Sequence, residues 1–178
     1  MKRLLAVLAL LLASSGVVYA DSINTVVSST TSGSGRITAT VFNDSGSTLS
    51  SGAPVVWDHD DTEYDNTGYP YITTTTTADD LYTAGVMLTG ECLDQALCEI
   101  ITEGWAPTRV SVATLSEDTI VGTSTTASSI GDSGELTNGC HLGTLISYTS
   151  VSPEYAGNAC TSSSVCLVPV QVNISCGQ

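Results

Sequence analysis

The sequence predicts an all-β fold, a sandwich or barrel that is disulfide-stapled and built of two pseudo-symmetric halves. Three observations predict it. Apolar residues recur with period two or in short β-branched runs; Gly, Asn, Asp and Ser punctuate those runs; and six cysteines follow an export-type leader in a chain of 178 residues.

The leader comes first. Lys2 and Arg3, an apolar run over 4–13 and a small-residue stretch ending Val18-Tyr19-Ala20 have the grammar of a secretory signal over 1–20, with cleavage after Ala20. A bilayer-spanning helix needs about 20 apolar residues, and neither this run nor any later segment reaches that. The mature chain is therefore expected to be secreted, extracellular or periplasmic, with no membrane insertion. Residues 21–35 are rich in Ser, Thr and Gly and read as a flexible N-terminal lead-in to a single β domain over 36–178.

Within that domain Ile37, Ala39 and Val41 alternate with Thr38, Thr40 and Phe42, and Asn43-Asp44-Ser45-Gly46 closes the strand with turn chemistry. Further strands are expected over 54–57, 71–77, 85–89, 97–102, 108–113, 119–123 and 143–148. The stretch 93–97 is compatible with barely one helical turn. In the last strand Cys166, Val168, Val170, Val172, Ile174 and Cys176 share one face. Pro169 has no amide proton, which places that strand at a sheet edge or a bulge.

A weak internal repeat spans 52–113 and 114–176. Ala84-Gly85-Val86-Met87-Leu88 precedes Cys92 and Cys98, with five residues between them, and then an apolar strand. Leu142-Gly143-Thr144-Leu145-Ile146 precedes Cys160 and Cys166 at the same spacing, again followed by a strand. Upstream lies an apolar pair, Val55-Val56 or Ile120-Val121. Two such units would pack as halves of one body, since neither buries its apolar face alone. In an exported chain the matched spacing pairs Cys92 with Cys98 and Cys160 with Cys166, leaving Cys140 for Cys176. A zinc site is disfavoured: no cysteine pair has the tight spacing, and only His59 and His141 are present to help.

Loss of residues 1–20 removes two of the four basic residues and no acid. Arg36 and Arg109 then face eighteen carboxylates, a net charge of −16 against −14 for the whole chain. Phosphate backbones and anionic membranes would be repelled, so nucleic acid is excluded as a partner. Divalent cations, a basic partner or solubility in salty water suit such a surface.

Asp58, Asp60, Asp61, Glu63 and Asp65 place five carboxylates within eight residues. Calcium takes about six to eight oxygens, so this segment is the candidate metal site, with a solvated acidic loop as the plain reading. An EF-hand is absent, because its sixth and twelfth positions hold Glu63 and Tyr69. No other cofactor is indicated. Gly131-Asp132-Ser133-Gly134 matches the nucleophile tetrad of chymotrypsin-like serine proteases, with His59 upstream as a base. Glu135 replaces the next glycine of that motif and His59 lacks its usual setting, so the tetrad reads as a turn and no catalytic residue is assigned. Trp57, Tyr64, Tyr69, Tyr71 and Trp105 are candidates for a carbohydrate-stacking face or, more plainly, packing residues. Asn43-Asp44-Ser45 and Asn173-Ile174-Ser175 are sequons.

The segment Ala84-Gly85-Val86-Met87-Leu88-Thr89, followed after an insert by residues 100–104, resembles the Gly-Val-Ala-Leu element and next strand of small tailed-phage capsid decoration and head-fibre proteins. Gly131-Asp132 is similar to the Gly-Asp step between their strands. The resemblance covers about a third of the chain. It implies a non-enzymatic β-barrel or β-tulip domain, often trimeric, displayed on a particle surface. From the residues themselves the expected function is an exported, non-enzymatic structural or adhesive β domain, working through protein partners or self-assembly. A carbohydrate- or calcium-dependent binding module and a secreted hydrolase are the alternatives.

Overall fold

The computed structural model describes residues 30–32, 35–59, 67–88, 90–110, 115–127, 129–132, 139–147 and 166–176. Twelve strands run through them: β1 Thr30–Ser32, β2 Arg36–Asn43, β3 Leu49–Ser50, β4 Pro54–Trp57, β5 Tyr71–Thr73, β6 Thr83–Met87, β7 Glu91–Cys92, β8 Leu97–Arg109, β9 Ile120–Thr123, β10 Ile130–Asp132, β11 Cys140–Leu145 and β12 Leu167–Cys176. Among the described residues there is no helix, and the all-β, barrel-like expectation holds. The stretch 93–97 is a turn that leads into β8 rather than a helical turn. Part of the expected lead-in, Thr30–Ser32, pairs with β2 as a strand.

Five strands close on themselves in the order β2-β5-β4-β6-β8, with β8 returning to β2. All neighbours are antiparallel except β2 and β5, which run parallel. Inside sit Ala39, Val41, Val55, Ile72, Ala84, Met87 and Ile100, joined by Leu49 and Cys92 from the small β3–β7 ladder. Burying each large aliphatic side chain contributes about 1.5–3 kcal/mol, so the period-two alternation of β2 fixes which face turns inward.

The long strand β8 merges two segments that the sequence reads as separate strands. Its register against β2 slips by one residue, since Ile37 pairs with Glu103 but Thr38 with Ile101. The extra residue is Thr102, a bulge that reverses which parity faces inward. Ile100 enters the first core, whereas Ile101, Ala106 and Val110 enter a second one. Gly104 follows at φ +100°, where a Cβ would lie 2.7 Å from the Gly35 carbonyl oxygen, so only glycine fits the bend.

Beyond the bulge β8 opens a second set of five strands, in the order β8-β12-β11-β9-β10. A single parallel bridge between Val110 and Ile130 brings β10 back to the end of β8. Val121, Ile130, Leu142, Leu145, Val168, Val170 and Val172 fill this barrel, together with Val86 and Ile101 from the outside of the first. β6 is therefore buried along its whole length.

Both barrels share one plan. β4, β5, β6 and the first half of β8 correspond to β9, β10, β11 and β12, with β2 and the second half of β8 as opening strands. Residue-level pairing repeats as well. Val55 and Val56 face Gly85 and Thr83, with Ala84 bulged between; Val121 and Gly122 face Gly143 and His141, with Leu142 bulged between. A Cβ on Gly85 would lie 2.4 Å from the Ile101 carbonyl oxygen, and one on Gly143 2.1 Å from that of Gln171.

Cys92–Cys98 and Cys140–Cys176 are disulfides, as the spacing predicts. Cys166 is also disulfide-bonded; its expected partner Cys160 lies outside the described residues. The placement of Pro169 at a sheet edge is corrected: β12 lies between β8 and β11. A strand residue points its N–H and C=O to the same neighbour, and the Pro169 carbonyl accepts from Ile146 N at 2.9 Å. The missing amide proton therefore faces the end of the β11 ladder, where it interrupts nothing further along.

Candidate functional site

Of the acidic segment proposed for calcium, Asp58 is described and Asp60, Asp61, Glu63 and Asp65 lie outside the described residues. Asp58 follows β4 and its amide donates to the Tyr71 carbonyl at 3.0 Å. His59 is exposed and its ring lies 4.5 Å from that of Tyr82. Ser133 lies outside the described residues; Gly131 and Asp132 belong to β10. Among the described residues no three His, Cys, Asp or Glu side chains come together, and no helix there is long and apolar enough to cross a membrane.

Among the described residues the aromatic side chains are not gathered on one face. Tyr71 is buried with its ring 5.0 Å from Phe42, and Trp57 packs against the first core. Trp105 stands alone on the outside of the second barrel, 36% exposed, with the Arg36 guanidinium 4.5 Å from its ring centre. Tyr64 lies outside the described residues, and Tyr69 is half-buried in the turn before β5. The sequon at Asn43 is closed: that side chain is fully buried, and its amide nitrogen donates to the carbonyls of Ser47, Cys92 and Leu93. Asn173 is exposed on β12.

What the fold does assemble is an asymmetric junction between the barrels. The first barrel contributes three features: the turn at Ser51 and Gly52, the loop at Asp79 and Asp80, and an outward row of Pro54, Val86 and Ile101. The Gly52 carbonyl accepts from Arg109 N at 2.8 Å, and the Ser51 carbonyl from Arg109 Nε at 3.2 Å. A Cβ on Gly52 would fall 2.5 Å from Leu167 Cδ2, so the turn sits directly on that leucine. Asp79 N donates to Thr123 O at 3.0 Å, Asp80 N to Thr123 Oγ1 at 2.8 Å, and Cys140 N to Asp79 O at 3.2 Å. The outward row is wholly buried.

The shared pairing pattern identifies counterparts for most participants; those of Asp79 and Asp80, residues 137 and 138, lie outside the described residues, and that of Arg109 is Phe42, whose amide donates to the Pro70 carbonyl at 2.9 Å. On the receiving side Thr123, Gly139, Cys140 and Leu167 correspond to Trp57, Leu81, Tyr82 and Leu97 of the first barrel. On the contributing side Gly52, Pro54, Val86 and Ile101 correspond to Asp118, Ile120, Thr144 and Gln171 of the second. Gly52 and Asp118 both adopt positive φ, at 78° and 62°. Four large apolar counterparts lie open: Leu81, Tyr82 and Leu97 are 55%, 52% and 51% exposed and Ile120 is 45% exposed, whereas Trp57 packs against the first core. None of them stands out in the sequence alone; aligning the two halves through Gly85 and Gly143 is the signal that finds them.

Comparison with protein-family models, with curated proteins and with solved structures finds no match to this chain.

Proposed function

We propose that this protein is an exported, non-enzymatic structural or adhesive domain that acts through its outer surface at a cell or particle boundary. The observation that carries this reading is the display of large apolar side chains, Leu81, Tyr82, Leu97 and Ile120, on ordered strands and turns of a stapled double barrel. Exposed apolar groups held in fixed positions mark interaction surfaces rather than unformed core. Disulfides belong to oxidising compartments, which fits a leader removed after Ala20. The resemblance to phage decoration proteins fits the same reading with a virion as the particle. The segment around Asp58 enters as a cation-binding loop that would ease contact between acidic surfaces.

Fractionation of the producing cells and their particles tests this. The reading expects the protein in a surface-accessible, high-mass fraction cut by external protease. Recovery as a free monomer in the medium contradicts it.

One observation favours a second reading, a carbohydrate-binding module. Trp105 pairs across β8 and β12 with Gln171, which pairs with Thr144, giving an exposed ring beside amide and hydroxyl groups. Such a row is suited to a neutral sugar. Binding on a glycan array that Trp105→Ala abolishes would support it, and an empty array would remove it.

A further inference from the structure

We propose that the protein assembles head to tail, with the second barrel of one copy docking by apolar side chains on the first barrel of the next, over the faces that correspond to the two sides of the internal junction. The inference rests on the reading of the protein as a surface-acting structural domain, and supplies its partner: a second copy.

The internal junction is heterologous. One barrel contributes a turn and an outward strand row; the other receives them at the open end of β9, at the start of β11 and on Leu167. Such an interface, used once, leaves a contributing face on the second barrel and a receiving face on the first; the backbone donors of that receiving face are already satisfied, Phe42 N by the Pro70 carbonyl and Tyr82 N by Asp80 Oδ1, so what it offers is apolar side chains. A heterologous contact propagates, into a ring where the rotation between copies closes and into an open filament where it does not. The unused halves are where large apolar side chains stand open. The receiving half of the first barrel carries Leu81, Tyr82 and Leu97, whose counterparts Gly139 and Cys140 are buried and Leu167 half-buried beside the first barrel. The contributing half of the second barrel carries Ile120, beside the exposed turn at Glu117 and Asp118. Among the described residues, five of the seven exposed large hydrophobic side chains are accounted for in this way, the fifth being Ile146, the counterpart of half-buried Leu88.

The two halves differ from the internal pair in ways that set the conditions for assembly: Asp118 takes the place of Gly52, where a Cβ would meet Leu167, and Phe42 takes that of Arg109, so the turn does not seat as it does within the chain. Val86 and Ile101 are replaced by Thr144 and Gln171, so the contact between copies is less apolar than the one within a chain. Both faces are also acidic, with Glu117 and Asp118 on one and Glu99 two residues from Leu97 on the other. Association is therefore reversible, weak in low salt and strengthened by sodium or calcium chloride, which screen or bridge the carboxylates.

Sedimentation velocity of the oxidised, secreted protein tests this, with Leu81→Glu on the receiving face and Ile120→Glu on the contributing face. Wild type is expected to form oligomers larger than a dimer, as an open ladder or a closed ring, whose mean mass rises with concentration and with salt. Each variant alone is expected to stay short of it, as a monomer. An equimolar mixture should give dimers and nothing larger, because one sound face remains on each partner; that recovery also shows both variants to be folded. A wild type that is monomeric in every salt overturns the proposal. So does a ladder that survives both substitutions, or a closed dimer that mixing fails to restore. If the protein fractionates with the surface and yet shows none of this behaviour, the docking proposal falls while the surface reading stands.

Discussion

The Asn43 amide nitrogen lies 2.9, 3.1 and 3.0 Å from the carbonyl oxygens of Ser47, Cys92 and Leu93, while its Oδ1 accepts from Ser45 N at 3.0 Å. One fully buried side chain thus ties the end of β2 to the Cys92–Cys98 loop. Asn43→Asp keeps the shape but removes the donors and sets a carboxylate among carbonyls. The loss should be about 3 kcal/mol or more, read as a lower urea midpoint with an unchanged slope. A glycan at this sequon is incompatible with the same geometry. At Gly143 the constraint is space: Gly143→Ala pushes a methyl onto the Gln171 carbonyl and should cost about 3 kcal/mol. Gly46 lies at φ +68° with no atom within 4 Å of an added Cβ. Gly46→Ala should therefore cost only the left-handed penalty of about 1–2 kcal/mol, and thermal melts of the two variants separate the mechanisms.

At the scale of the element, β8 decides the architecture. The strands with clean alternation, β2 and β12, are legible in the sequence, and so is β4, a short run between turn signals. The continuity of β8 is not legible, because a bulge at Thr102 breaks the period just where two adjacent apolar residues, Ile100 and Ile101, serve different cores. Pro169 reads as a marker of an edge or a bulge, yet it pairs with Pro107 inside the sheet. Only the direction of the unused amide position makes that acceptable, and direction is not written in residue type. The disulfide spacing is legible, since loop length depends on sequence separation alone. In the chain-entropy account, closure over 36 residues between Cys140 and Cys176 contributes about 4 kcal/mol, and closure over 6 residues between Cys92 and Cys98 about 2 kcal/mol. Replacing both cysteines of each pair by serine should reproduce that order in denaturant unfolding. Equal losses would show that native contacts, rather than loop closure, dominate.

On the scale of the whole molecule, the two barrels are one folding unit, because Val86 and Ile101 stand on the outside of the first and inside the core of the second. The divergence of the repeats follows from that placement. Positions filled by Val86 and Ile101 in the first barrel are Thr144 and Gln171 in the second, where the same row meets solvent. The sequence repeat is weak for this reason, although the backbone repeat extends to the bulge and the glycine after it. Of the candidate site, the sequence shows the acidic segment and the aromatic residues but not the exposed faces. An exposed leucine acquires meaning only when its counterpart is seen to be covered.

Native-state hydrogen exchange along β8 tests the shared-strand architecture most directly. The amides of Ile100 and Ile101, before the bulge, and those of Ala106 and Thr108, after it, are predicted to exchange through a single opening, with one free energy and one urea dependence. Two groups that open separately, one surviving while the other exchanges, would mean two independent domains joined by a linker and would contradict the account.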